Sequence, residues 1–437
     1  MKVQTHAYRV GSHTGDYEDL PSDPVELDTF IGNARRRIEP WLSSVFQAEH
    51  LNVLIGSGFS TAVAHRAGAA AAGMNTVTLG SRYDAAIDAA AAKSAKRMNR
   101  GNANIEDQFR SALAVLDGLR ITDATAATLL ESAINAQFQT FHLSILAGER
   151  GIIDSSDNAK SKAALLCVQS FLLSFASRAA SRERLHVFTT NYDRLIEYGC
   201  DLAGLRVIDR FVGALNPLFR SSRMEVDMHY NPPGIRGEPR FMEGVVRLTK
   251  LHGSLDWHYD AVSRSIRRVG IPFGAPDDHT DNPKNPIKTL IIYPNAGKDI
   301  ETTAYPYAEL FRDMAAAICR PNAVVVTYGY GFGDDHINRI LLDMLSIPST
   351  HIVIISYSFD ARLTAFCGRV RPTQISLLNG PHFASLSALT EHYLPQPALD
   401  HISGRLAETL KRRSLTDASA PQEPGRAAND GFDELLG

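Results

Sequence analysis

Residues 185–194 read LHVFTTNYDR, and the fold is decided there. The first five residues are a β-branched and aromatic run of the kind that forms a buried strand. The run stops on Thr190, Asn191, Tyr192 and Asp193. Leu195, Ile196, Tyr198 and Leu202 then fall at the spacing of an amphipathic helix. In α/β proteins a strand that stops on polar residues where a helix begins is a place for chemistry, because ligands bind beyond the carboxyl ends of parallel strands. A helix cap made by Asn191 and Asp193 accounts for the pair taken alone. Recurrence argues for more than a cap.

Three other apolar runs end the same way. Residues 51–55 (LNVLI) lead into Gly56-Ser57-Gly58-Phe59-Ser60. Residues 245–251 end in His252-Gly253-Ser254-Leu255-Asp256-Trp257, and residues 323–327 (AVVVT) run into Tyr328-Gly329-Tyr330-Gly331 and on to His336. Residues 289–293 (TLIIY), 351–356 (HIVIIS) and 375–378 complete the strand set. Short apolar strands alternating with helical pattern predict an α/β fold, a Rossmann-like doubly wound and mainly parallel sheet. The carboxyl ends of its strands share one edge, so residues 56–60, 190–193, 252–256 and 329–336 converge there.

Around this frame, residues 1–24 are polar and read as a flexible arm. Residues 25–47 read as a helix that packs on the main domain or on another copy of the chain. Residues 25–412 form one domain, with an alanine- and leucine-rich helical module inserted at about 81–182. Residues 211–243 read as irregular, 260–288 as an excursion or lid, and 413–437 as a disordered tail. The chain has 437 residues, 44% of them hydrophobic and 21% charged, the balance of a soluble globular protein. A net charge of -3 gives no support to a nucleic-acid-binding surface. Cys167, Cys200, Cys319 and Cys367 are far apart and form no CxxC pair, which argues against a zinc ribbon or a disulfide framework. No apolar signal region and no run approaching ~20 apolar residues is present, so a cytoplasmic, membrane-free protein is expected.

Gly56–Ser60 outlines a phosphate cradle, since glycines let the backbone approach an anion at a helix amino terminus. Thr61 replaces the third glycine of the full dinucleotide fingerprint, and a tight turn capped by Ser60 is the plainer reading. His252 follows a strand directly, and the histidine side chain is the residue type suited to taking a proton near neutral pH. A core histidine is its plainer reading, and a core or surface place is kept for His258, His279 and His336. His252, His258, Asp256 and Asp334 match no metal-ligand spacing, and no metal is expected. Asp334 reads as the cap of a helix starting near Asp335, and Trp257 as core or pocket wall. No G-x-S-x-G elbow and no P-loop lysine occur.

GSGFS at 56–60, TTNYD at 189–193, KLHGSLDW at 250–257 and GYGFGDDHIN at 329–338, in this order, resemble the sirtuins. More closely, they resemble the zinc-free bacterial sirtuin-like proteins of antiphage defence. Asn104-Ile105-Glu106-Asp107 is similar to a short motif in the helical insertion of that group. The likeness spans about residues 50–380.

This resemblance implies that NAD is bound as substrate, without a metal. Gly56, Ser57, Gly58 and Ser60, with Phe59, would hold the pyrophosphate. Asn191 and Asp193, beside Thr190, match the pair at the nicotinamide and its ribose. His252 matches the catalytic histidine, with Gly253 and Ser254 next to it. Gly329, Tyr330 and Gly331 would lie near the adenine ribose. The four-cysteine zinc module of deacylating sirtuins is absent, and residues 62–68 read AVAHRAG where a Gly-Ile-Pro-Asp-Phe-Arg segment usually stands. Gly331 occupies a position where the defence proteins often carry serine. The activity implied is NAD+ glycohydrolysis to nicotinamide and ADP-ribose, with His252 as base, Asn191 positioning water and Asp193 orienting Asn191 or the nicotinamide. The same resemblance implies a gated effector of antiphage defence in the bacterial cytoplasm. It would be a homo-oligomer, or the partner of a HerA-like DNA-translocating ATPase or a short Argonaute. The alternatives are a non-catalytic NAD or ADP-ribose sensor and an NAD-dependent protein deacylase.

Overall fold

Six parallel strands run side by side at the centre of the chain. In space they are Val245–Lys250, Leu185–Thr189, His50–Ile55, Ala323–Tyr328, His351–Ser356 and Ile375–Asn379. Counted along the chain these are the third, second, first, fourth, fifth and sixth, the dinucleotide-binding order. A short strand, Arg206–Ile208, extends one edge in parallel. The sheet is therefore Rossmann-like, as the alternating pattern predicts. A computed structural model describes residues 5–98, 101–221, 226–230, 240–292 and 305–396.

The central strands are apolar on both faces because helices cover both. Leu51, Val53 and Ile55 join the core that holds Phe171, Phe175 and Tyr328. Leu54 points the other way, with Phe188 and Val325, toward Leu310, Ile337 and Leu341. The helix Asn158–Ala176 belongs to the first of these cores through Val168, Phe171 and Phe175. It is a crossover helix of the sheet and not part of a separate module. What stands apart is the group Asp84–Arg97, Ile105–Thr122 and Ala124–Ile153, whose own core joins Ile87, Phe109, Leu113 and Phe138. That core also takes in Tyr192 and Leu255, so the insertion closes directly onto the strand ends.

Two expectations are corrected. Residues 1–24 are not a loose arm. His6–Val10 and His13–Tyr17 form an antiparallel hairpin, and the first of them pairs with Ile375–Asn379. The polar HTGDY strand has no buried face to betray it, whereas Tyr8 and Val10 are buried under the first helix. That helix, Pro24–Val45, is capped by Asp23 and packs on its own chain through Ala34, Ile38 and Leu42. Residues 289–293 were expected in the parallel sheet. Leu290–Ile292 instead pairs antiparallel with Gly253–Asp260 in a second sheet of five strands. The first six residues of Gly253–Asp260 are all buried, so no alternation marks it as a strand. Residues 1–395 gather into one compact unit, and the tail expected at 413–437 lies outside the described residues.

The loops after the first and fourth strands touch backbone to backbone. Gly58 N–H donates to Gly329 O at 3.1 Å, and Gly56 N–H to Tyr328 O at 3.0 Å. A Cβ on Gly58 would stand 2.6 Å from Gly329 Cα, and Gly329 has a φ of +61°. Gly58→Ala therefore lowers stability by about 1–3 kcal/mol through overpacking. Gly118→Ala, at an exposed helical site with nothing within 4 Å, raises it by roughly 0.5–1 kcal/mol. Urea unfolding of the two variants measures the contrast.

Candidate functional site

The four adjacent strands His50–Ile55, Leu185–Thr189, Val245–Lys250 and Ala323–Tyr328 deliver their polar ends to one cavity of about 260 Å³. Gly56, Ser57, Ser60, Thr190, Asn191, Asp193, His252, Tyr330 and Gly331 all line it. Gly58, Phe59, Gly253, Ser254 and Gly329 do not. Gly58 and Gly329 are consumed by their mutual contact, and Phe59 is core, against Phe171 and Tyr328. Gly253 has a φ of +84° that turns the chain out of its strand, and Ser254 Oγ donates back to Tyr192 O at 3.3 Å. These five residues shape the rim from behind.

A short hydrogen-bonded chain sets Asn191. Its Nδ2 donates to Gly56 O and to Ser60 Oγ, each at 3.0 Å. Ser60 in turn donates to Asp193 Oδ2 at 2.7 Å. Because a carbonyl can only accept, Gly56 O requires the nitrogen end of the Asn191 amide and thereby fixes which end is which. Oδ1 is then left buried with no hydrogen-bond partner among the described residues, on a residue only 6% exposed. Such an orphaned acceptor costs free energy unless something in the cavity donates to it. Asp193 also accepts from Leu195 N–H at 3.1 Å, so its plainer capping role is real and coexists with the link to Ser60. Ser60 itself lies inside the helix Ser57–Ala67 and does not cap it.

His252 follows the strand Val245–Lys250 and is 4% exposed. Asp334 stands at the cap position of the helix Asp335–Ser346, but its side chain makes no capping bond and it lines the cavity instead. Trp257 is core, tilted against Phe211. His258 is buried, and burial presses its pKa down to about 4, so it is neutral at physiological pH. Residues 260–288 contribute nothing to the cavity lining. They are strapped to the helix Ala124–Ile153, where Arg150 donates to Gly274 O and Ala275 O and pairs with Asp277.

Sequence reasoning missed what the insertion brings. Asn104, Glu106, Phe141, Ile145 and Glu149 line the cavity wall opposite the strand ends. Tyr192 donates its hydroxyl to Glu106 Oε1 at 2.5 Å. Burial, then the Glu106 carboxylate, holds the Tyr192 phenol well above its usual range, so it remains a donor. The sequence singles out residues 104–107 only through their likeness to a motif of the helical insertion, which assigns Glu106 no role; in the fold Asn104 and Asp107 form a reciprocal helix cap.

Residues 185–366 match the family model described as a SIR2-like domain. No curated protein matches the chain. The match supports a sirtuin-like, NAD-related chain, in keeping with the Rossmann-like order of the strands. This SIR2-like stretch is less than half of the chain; it includes Asn191, Asp193, His252 and Tyr330 and leaves out both Gly56–Ser60 and the insertion. Among the described residues no group of three or more His, Cys, Asp or Glu side chains could hold a metal ion. No described helix is long and apolar enough to cross a membrane.

A buried ion pair ties the SIR2-like stretch to the insertion. Arg194 Nη2 lies 2.6 Å from Glu149 Oε2, and Arg194 N–H donates to Oε1 at 2.8 Å. The side chains are 8% and 1% exposed. Burial works against the Arg194 charge, but Glu149, with Asp256 and Glu197, more than offsets it and holds the guanidinium above its ordinary range. Arg194→Met strands the carboxylate and costs about 3–5 kcal/mol. Arg194→Met/Glu149→Leu recovers part of that loss in the same denaturant titration, because replacing both partners leaves no buried charge unpaired.

Proposed function

We propose that the chain is an NAD+ glycohydrolase that cleaves the bond between nicotinamide and ribose. The observation that carries this reading is the Asn191 carbonyl oxygen, buried and without a partner among the described residues, in the cavity that also holds His252. Gly56, Ser57 and Gly331 line the same rim, where the amino terminus of the helix Ser57–Ala67 offers backbone N–H groups to a phosphate-bearing ligand. The match to a SIR2-like domain supports NAD as that ligand.

Glycosidic bonds of this kind break through an oxocarbenium-like transition state. Nicotinamide leaves with the bonding electron pair, water adds to the ribose carbon, and one proton is released. Asn191 Oδ1 accepts a hydrogen bond from the water and points its oxygen at the ribose. His252 takes the proton, from the water or from a ribose hydroxyl. Asp193 acts through Ser60, which it holds against the Asn191 amide. Asn191 thereby keeps one orientation through the reaction.

An unregulated NAD hydrolase would drain its own cell. We therefore place the activity under a gate, through a homo-oligomer, a nucleotide ligand, or a partner of the HerA-like ATPase or short Argonaute kind, in bacterial antiphage defence. Nicotinamide release from NAD, followed with the chain alone and with the product of the neighbouring gene, tests the reading. Asn191→Ala and His252→Ala each lower kcat by roughly 100-fold or more. Undiminished turnover in either variant overturns the assigned role. Tight NAD binding without turnover in any assembly points to a sensor, and turnover only with an acetylated peptide points to a deacylase.

A further inference from the structure

Glu106 is a buried carboxylate, 8% exposed, and it belongs to the insertion rather than to the SIR2-like stretch. It is the second residue of the helix Ile105–Thr122. The reciprocal cap fixes that first turn: Asp107 N–H donates to Asn104 Oδ1 at 3.0 Å, and Asn104 N–H to Asp107 Oδ2 at 3.3 Å. Ile105 N–H donates to Met74 O at 3.0 Å, which pins the turn to the preceding loop. The direction of Glu106 is thus set by its backbone.

Three groups meet its carboxylate among the described residues. Tyr192 donates to Oε1 at 2.5 Å, Asn104 Nδ2 approaches Oε2 at 3.4 Å, and His252 Nδ1 lies 3.8 Å from Oε1. No lysine or arginine is among them. A carboxylate is expensive to bury without a cation, so one held on a cavity wall among neutral donors calls for a partner that can carry charge. The imidazole of His252 is the one partner here that can become a cation. Tyr192 uses one lone pair of Oε1 and leaves a second. Closing the gap to His252 by about 1 Å turns the contact into a hydrogen bond, and catalytic bonds commonly tighten by such amounts when substrate binds.

We propose that Glu106 is a positioning residue for His252. It accepts the Nδ1 proton of the neutral imidazole, fixes the tautomer, and leaves Nε2 bare as the base. When Nε2 takes a proton from the water or ribose hydroxyl, the imidazolium forms beside an ionised Glu106, which keeps its own charge; the proton then passes to solvent. The base role of His252 rests on the hydrolase reading above, whereas the tautomer does not.

The experiment uses full-length protein labelled with ¹⁵N at histidine, observed at about pH 8, where an ordinary imidazole is neutral. The His252 signal is assigned by its loss in His252→Gln. In the wild type and in Glu106→Asp the ring nitrogens report the Nδ1–H form. In Glu106→Leu they shift toward the Nε2–H form, and Glu106→Ala, which likewise has no side-chain acceptor, serves if the leucine variant does not fold. With NAD, the variant that loses the acceptor drops kcat by roughly 10–100-fold while KM changes little, and Glu106→Asp restores part of the rate. An unchanged tautomer on removal of the carboxylate overturns the proposal, as does an unchanged kcat in an active enzyme. The expected tautomer shift in a protein that never hydrolyses NAD sinks only the hydrolase reading.

Discussion

Everything at the cavity depends on two glycine loops meeting without side chains between them. The loops follow the first and fourth strands, the neighbours at which the chain reverses its direction across the sheet. A Cβ on Gly56 would stand 2.5 Å from Gly329 O, and one on Gly329 would stand 2.7 Å from the Gly58 backbone. The contact seats the helix Ser57–Ala67 and turns Gly56 O toward the next strand end. Gly56 O then selects the nitrogen of the Asn191 amide. A constraint on backbone volume becomes, two bonds later, the orientation of one carbonyl oxygen.

The insertion supplies the other half of the enclosure. Its core is continuous with Tyr192 and Leu255, which flank the strand ends. Arg194 reaches from the residue just before the helix Leu195–Leu202 to Glu149 and to the carbonyls of Ile271 and Pro272. Three chain segments distant in sequence are thereby locked around one guanidinium. Such a pair adds little net stability over an apolar replacement, because both charges lose their hydration. Its geometry, however, permits only one placement of the cavity wall, and that placement puts Glu106 within reach of Tyr192 and His252.

The parallel sheet was legible because its strands are apolar throughout and are punctuated at fixed polarity by Gly, Asn and His. Convergence of residues 56–60, 190–193 and 329–336 followed from the rule that ligands lie beyond carboxyl strand ends. Three features were hidden, each for a physical reason. The His13–Tyr17 strand is an exposed edge and carries no apolar face. The Gly253–Asp260 strand is buried on both faces, and alternation disappears with it. Glu106 sits in a turn whose cap accounts for its neighbours, so only the fold shows that the same turn faces the strand ends. A motif can stabilise a helix and serve a site at once, and local reading sees the first alone.

The charge of the cavity is uneven, and the unevenness bears on the substrate. Glu106 stands at the His252 end and Asp193 next to Asn191, while Arg362 lies at the Gly331 end, where a Cβ on that glycine would be 3.8 Å from its guanidinium. NAD+ has the same polarity, with a cationic nicotinamide at one end and two phosphates toward the other. Under the proposed reading the carboxylates face the ring that leaves and the ribose that becomes cationic. Glu106, beside the base, then stays near the positive charge as it passes from the nicotinamide ring of NAD+ to the ribose, and loses that partner when neutral nicotinamide departs. A pocket built only to hold ADP-ribose would gain nothing from a buried carboxylate there. The asymmetry therefore favours a ligand with a cationic end, as NAD+ has, over ADP-ribose alone.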